Sequence, residues 1–196
     1  MVAGRPRAFD VDQALDKALE VFWRKGYEGA SLQDLTDAME INRPSMYAAF
    51  GNKEALFRKV LDRYAQRNAI FINEALSAPT ARQVVEKLLH SVAYSQCCPQ
   101  NPPGCLAVQS ALACGDDAES IRQELILRRA ASQTAICERL ERARQEGDLP
   151  ADADPKALAR YVSTVIQGMA VQSASGATHQ DLLSVIDLAL KAWPSE

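Results

Sequence analysis

Apolar positions along this chain recur every three to four residues almost from end to end, and that rhythm is helical. Ala14, Leu15, Ala18, Leu19, Phe22 and Trp23 form one stripe, with Asp12, Lys17, Glu20 and Arg24 on the opposite face. Asp10 or Asp12 caps this first helix, and Gly26 stands where a left-handed residue ends one. Ser31 caps the next, SLQDLTDAM, whose Leu32, Leu35 and Met39 share a face; Asp34 occupies the acid position of a capping box. In RPSMYAAF, Asn42 is the N-cap and Pro44 lies in the first turn, where a missing N–H costs no hydrogen bond. After a GN break, one long helix runs from Lys53 to about Leu76.

Downstream the pattern predicts helices over roughly 80–97, 104–114, 117–146, 155–174 and 179–193, broken by SAPT, CCPQNPPG, GDD, GDLPADADP and SGAT. No strand-like alternation with Asn-Gly or Asp-Gly turns occurs. The expected fold is all-α: an N-terminal three-helix helix-turn-helix domain, residues 1–60, and a larger helical domain, residues 61–196.

Composition narrows the class. A chain of 196 residues, 47% hydrophobic and 24% charged, is that of an ordinary soluble protein. Its start, MVAGRPRAFD, is basic without the apolar run of a signal peptide, and nothing approaches the ~20 apolar residues of a membrane span. The expectation is a cytoplasmic protein without a membrane partner. There a disulfide framework is unexpected, and the five cysteines are an odd number. The net charge of −3 is uneven: residues up to 67 hold 11 Lys+Arg against 10 Asp+Glu, the remainder 11 against 15. Arg5 and Arg7 precede the first acid, Asp10.

Two stretches carry candidate chemistry. QCCPQNPPGC, residues 96–105, packs three cysteines and three prolines into ten residues. Its spacing is not that of a zinc site, though copper(I) on thiolates stays open. His90 and Cys97 share a helical face, but seven residues separate them by about 10 Å, too far for direct proton transfer. No catalytic set, metal site or cofactor is expected. The prolines bend the chain, and the cysteines serve as small apolar fillers. The second stretch, SLQDLTDAMEINRPSMYAAF, has the layout of a helix-turn-helix, in which one helix braces across phosphates while the next enters the major groove. Leu35, Ala38, Ile41, Met46 and Phe50 pack the pair, leaving Arg43, Ser45, Tyr47, Ala48 and Ala49 outward. A helical hairpin with no DNA role has the same periodicity.

SLQDLTDAMEINRPSMYAAFGNKEALF resembles the signature segment of the TetR family of one-component transcriptional regulators. Ser31, Tyr47, Phe50, Lys53, Glu54 and Leu56 hold the family's places, and the likeness reaches back through Phe22, Gly26 and Tyr27 to cover about residues 10–60. One departure is Glu40, where the turn usually has glycine. The resemblance implies double-stranded operator DNA as partner. It makes Ser31, Arg43, Pro44, Ser45, Tyr47 and Lys53 the DNA-binding set, with Arg43 suited to guanine O6 and N7. Arg5 and Arg7 become a minor-groove arm or a solvated tail.

The same resemblance implies a homodimer, since one short recognition helix gives too few base contacts and two half-sites double them. The last two helices are the expected dimer face, with Val162, Ile166 and Met169 on one and Leu183, Ile186 and Leu190 on the other; packing into the monomer's own core is the alternative. Residues 61–196 then serve ligand sensing and dimerisation. Gly104-Cys105-Leu106 is similar to the segment opening the sixth helix of electrophile- and oxidant-responsive members, which makes Cys105 a candidate sensor thiol beside the plain packing reading. The implied function is a repressor released from a near-palindromic operator by a small-molecule inducer or by thiol modification. A thiol-dependent enzyme and an architectural DNA binder are the alternatives.

Overall fold

The computed structural model describes residues 9–112, 115 and 118–194, residue 112 by its backbone alone. Among the described residues there are nine α-helices and no strand: α1 Val11–Gly29, α2 Leu32–Met39, α3 Arg43–Phe50, α4 Lys53–Leu76, α5 Ala81–Cys97, α6 Leu106–Leu112, α7 Glu119–Gln145, α8 Pro155–Ala174 and α9 His179–Lys191. Side-chain caps set most starts. Asp10 Oδ1 accepts the N–H of Asp12 at 2.9 Å and of Gln13 at 3.1 Å. Asn42 accepts from Ser45 N–H and Asn52 from Ala55 N–H, each at 2.8 Å. Ser31/Asp34 and Thr178/Asp181 close full capping boxes. Each cap satisfies a donor that the helix leaves orphaned, worth about 1 kcal/mol.

Gly26, with φ 69°, breaks α1 near its end and lets Tyr27 turn back onto Phe22 and Phe57. The sixth helix starts at Leu106 rather than 104, because Gly104 adopts φ +82°.

The helices enclose two cores. The first holds Leu19, Phe22, Leu35, Met46, Leu56, Phe57 and Leu61, and is completed from far along the chain by Leu106 of α6 and by Ile121 and Leu125 of α7. It therefore does not close at residue 60. The second joins the end of α4 to α5, the later half of α7, α8 and α9. Both long helices pass from one core to the other, and between the cores they are exposed: Ile70, Phe71 and Ile72 on α4, Leu127 on α7. The far end of α4 is held by Arg139 of α7. This side chain is 6% exposed and donates to Leu76 O, Ala78 O and Pro79 O at 3.1, 2.8 and 3.0 Å. A cation there meets the negative pole of the helix, one of its orphan carbonyls and two carbonyls of the connection together.

Within α8 and α9 the sequence expectation needs correction. Val162, Met169, Ile186 and Leu190 are buried in the second core, and Ile166 and Leu183 pack partly buried against it. Those four side chains are enclosed by their own chain and have almost no area left for a partner, whereas Ile166 and Leu183 keep part of theirs. The exposed surface of the two helices is largely polar and carries Tyr161, Gly168, Val171, Val185 and Leu188 among its residues. No described helix is long and apolar enough to cross a membrane.

Candidate nucleic-acid interface

The reading head is assembled by burial on one side of α3. Met46 and Phe50 are 0% and 3% exposed and anchor α3 in the first core, which leaves Arg43, Pro44, Tyr47 and Ala48 on the open side. Tyr47 is 47% exposed, so its ring is not a core ring. Ser45 is partly covered, and its N–H is taken by the Asn42 cap. Arg43 lies beside α2, with Nη2 donating weakly to Gln33 Oε1 at 3.4 Å. That places Gln33, which sequence reasoning passed over, on the same rim.

The turn between α2 and α3 resolves the Glu40 departure. Glu40 takes φ 55° and ψ 37°, the left-handed region, and is the one described residue other than glycine with positive φ. Its N–H donates to Asp37 O and that of Ile41 to Thr36 O, each at 3.1 Å, which is the paired bonding of a Schellman ending. The motif is intact, and the strain of a Cβ in that region is retained. Lys17 Nζ meets Glu40 Oε1 at 2.6 Å and ties α1 to this turn. A second tie, Lys25 Nζ to Asp34 Oδ1 at 2.5 Å, holds α1 to the start of α2.

Two of the expected DNA contacts, Ser31 and Lys53, have local partners already. Ser31 Oγ donates to Asp34 Oδ2 at 2.7 Å while accepting Asp34 N–H at 3.0 Å, so its hydrogen is engaged by the cap. Lys53 folds back over the Tyr27 ring, 4.7 Å from its centroid, with Nζ 3.5 Å from Glu28 O. Burial pushes its ammonium down from the usual lysine range, and the Glu28 carboxylate pulls the other way. Arg5 and Arg7 lie outside the described residues, as does Cys114.

QCCPQNPPGC turns out to be a junction of four helices. Gly104 N–H donates to Gln96 O of α5 at 3.2 Å and to Ser173 Oγ of α8 at 3.3 Å, while Gly104 O accepts from Trp23 Nε1 of α1 at 3.3 Å. The next residue, Cys105, accepts from the Tyr64 hydroxyl of α4 at 3.5 Å, and Tyr64 packs edge-on against Trp23 at 4.8 Å. Enclosure first, then the neighbouring thiol, pushes the Tyr64 phenol well above its usual range. Cys97 contacts Ser173 Oγ at 3.7 Å, and Cys98 donates to Gln100 Oε1 at 2.7 Å. Cys97, Cys98, Cys105 and Cys137 are free thiols, and among the described residues no group of three or more His, Cys, Asp or Glu side chains could hold a metal ion.

Comparison with known proteins identifies this architecture. Residues 14–60 match the family model described as bacterial regulatory proteins, tetR family, and residues 81–182 match the tetracyclin repressor-like C-terminal domain. The chain belongs to the TetR family. It is therefore a DNA-binding transcriptional regulator and not an enzyme. Among its relatives, the HTH-type transcriptional repressor ComR of Escherichia coli strain K12 is 33% identical over 193 residues, covering 97% of this chain and 92% of ComR. The repressor BdcR of the same organism is 29% identical over 97% of this chain and 92% of its own. A solved structure of a cysteine mutant of the TetR family regulator CifR, complexed with 26-base-pair double-strand operator DNA, is 44% identical, covers 97% of this chain and 100% of its own, and superposes with a TM-score of 0.93.

Proposed function

We propose that this chain is a repressor that binds a near-palindromic double-stranded operator as a homodimer and is released by a small-molecule or electrophilic inducer. The observation that carries the reading is the exposed Arg43, Pro44 and Tyr47 face of α3, braced from behind by buried Met46 and Phe50. Residues 1–60 form the reader and residues 61–196 the sensing and dimerising part, working in the cytoplasm. Arg43 reads guanine, Tyr47 donates to a phosphate, and the N-terminus of α4 at Lys53 meets a second phosphate. Ser31, Pro44 and Ser45 border the same groove, and Arg5 and Arg7 complete the DNA-binding set. The dimer contact is the outer surface of α8 and α9, around Tyr161, Val171, Val185 and Leu188, where Gly168 permits close helix approach.

Cys105 is the candidate trigger. An adduct on Sγ would form against the Tyr64 hydroxyl, 3.5 Å away, and Tyr64 in turn rests on Trp23 of α1. Modification thus transmits strain to the two helices that carry the reading head. The test is binding of the purified protein to DNA from its own upstream region at moderate salt, with and without N-ethylmaleimide, for wild type and Cys105→Ser. The reagent adds the thiolate sulfur to one alkene carbon and a proton to the other. Specific binding that is lost on treatment and kept in the variant is the expected result. Specific binding indifferent to treatment sinks the thiol trigger and leaves a reversible inducer; no binding to any self-derived DNA fragment sinks the repressor reading.

A further inference from the structure

Beside the junction, α4, α5 and the 98–101 connection enclose an open groove of about 440 Å³, within the range of small-molecule sites. Phe71 of α4 and Tyr94 of α5 line it and are 53% and 66% exposed, unusual for large rings that no partner covers. Arg67, His90, Ser91 and Ser95 supply hydrogen-bond donors, and no carboxylate is among the described lining residues. A chain with 25 acidic residues thus presents a groove with aromatic sides and Arg67 in its lining, the guanidinium now turned to Asp16 of α1.

We propose that this groove binds a planar aromatic carboxylate. The assignment rests on the repressor reading for its regulatory meaning but not for the binding itself. The ring lies against Phe71 and Tyr94, where offset or edge contacts add to burial. The carboxylate takes Arg67, whose fork matches its two oxygens, with the serine hydroxyls completing its acceptor sites. A neutral ligand would gain only a weaker, single-acceptor bond from the guanidinium, and a cation would be repelled by it.

The choice of Arg67 gives the ligand a route to the reading head. Arg67 Nη2 now donates to Asp16 Oδ1 of α1 at 2.9 Å. Asp16 also holds Arg63 by two bonds, at 2.8 and 2.9 Å, so it keeps a bidentate partner when Arg67 turns away. Binding therefore removes one of the ties between α1 and α4 without stranding a charge. Effector and operator then compete through the same pair of helices.

The experiment titrates 2-naphthoate against the full-length protein, followed by anisotropy of the probe's fluorescence, with 2-naphthamide as the uncharged isostere. Saturable binding of naphthoate, with the amide weaker by about tenfold or more, is expected. Arg67→Gln should weaken naphthoate by about tenfold and erase the preference over the amide, and Tyr94→Ala should weaken both probes together. Tyr94 is largely solvent-facing, so that variant keeps the fold; the two-probe comparison on wild type does not depend on any variant. Equal affinity for acid and amide, unchanged affinity in Arg67→Gln, or absence of saturable binding overturns the proposal. Operator binding measured on the same samples separates the two readings. Naphthoate bound with no specific DNA binding leaves the groove standing and the repressor fallen, and the reverse leaves the repressor standing alone.

Discussion

Gly104 offers a controlled test of how tightly the junction is built, because the chain contains its own reference. Gly104 and Gly147 have nearly the same φ, +82° and +81°, but different surroundings. A Cβ at Gly147 meets nothing within 4 Å. At Gly104 it meets Ala170 O at 2.9 Å, Ala174 Cβ at 3.1 Å and Gln109 Nε2 at 2.7 Å. The glutamine end can swing aside, at the loss of its bond to Pro103 O, but the α8 backbone cannot. Both alanine variants carry about 1 kcal/mol for a side chain at positive φ, partly offset by a less flexible unfolded chain. Only Gly104→Ala adds an overpacking term of roughly 2 kcal/mol. Expected losses are therefore about 1 kcal/mol for Gly147→Ala and about 3 kcal/mol for Gly104→Ala. At this chain length each kcal/mol lowers Tm by roughly 3 °C, giving drops near 3 and 9 °C. The assay is thermal unfolding followed by far-ultraviolet circular dichroism at one fixed protomer concentration, since self-association also shifts Tm. Equal drops would refute the claim that close packing against α8, rather than glycine's backbone freedom, holds Gly104.

Other perturbations test other elements. Glu40→Gly relieves a left-handed side chain and should stabilise by roughly 0.5 kcal/mol in urea unfolding; destabilisation would mean that the Lys17 contact outweighs the strain. Arg139→Met strips the last carbonyl of α4 and two carbonyls of the following connection of their donor and should destabilise by about 3 kcal/mol, with Arg139→Lys recovering only part; a loss under about 1 kcal/mol refutes the cap. The Asp34 carboxyl is held well below the usual 3.8 by Lys25 first and then by Ser31. A depressed folded value means the contribution is complete above the ordinary aspartate range and disappears as pH falls below it. The Tm gap between wild type and Asp34→Asn should accordingly stay level from pH 7 to about pH 5 and narrow below about pH 4; a widening gap would reverse the sign. Arg43→Ala should weaken operator binding by roughly 10- to 100-fold in gel-shift titration and relax selectivity, whereas equal loss on operator and random DNA would make Arg43 a phosphate contact.

Local chemistry makes the reading head legible in the amino-acid sequence. Asp10, Ser31, Asn42 and Asn52 act within three residues of themselves, so their capping is written in adjacent letters. The junction is not legible, because Tyr64 and Cys105 are 41 positions apart and Trp23 and Gly104 are 81. Lys53 reads as an open cation in sequence; only the Gly26 break, which brings Tyr27 back, shows that it is half covered. The stripes on α8 and α9 mislead for a different reason. Periodicity identifies the most apolar face of a helix, and in these two that face belongs to the chain's own core, while the outward surface mixes Tyr161 and Gly168 with polar neighbours.

The 24 residues of α4 span about 36 Å as a rod. Its first turns are locked into the reading head through Leu56, Phe57, Val60 and Leu61, and its far end is held at the Arg139 cap. Such a rod is a lever. Tilting it by about 5° about the capped end swings the reading head roughly 3 Å sideways, as far as a whole hydrogen bond is long. In the proposed homodimer the displacements oppose, so the two heads would separate by about 6 Å against a half-site spacing near 34 Å. A disturbance too small to break either core is thus magnified into a mismatch with the pitch of DNA.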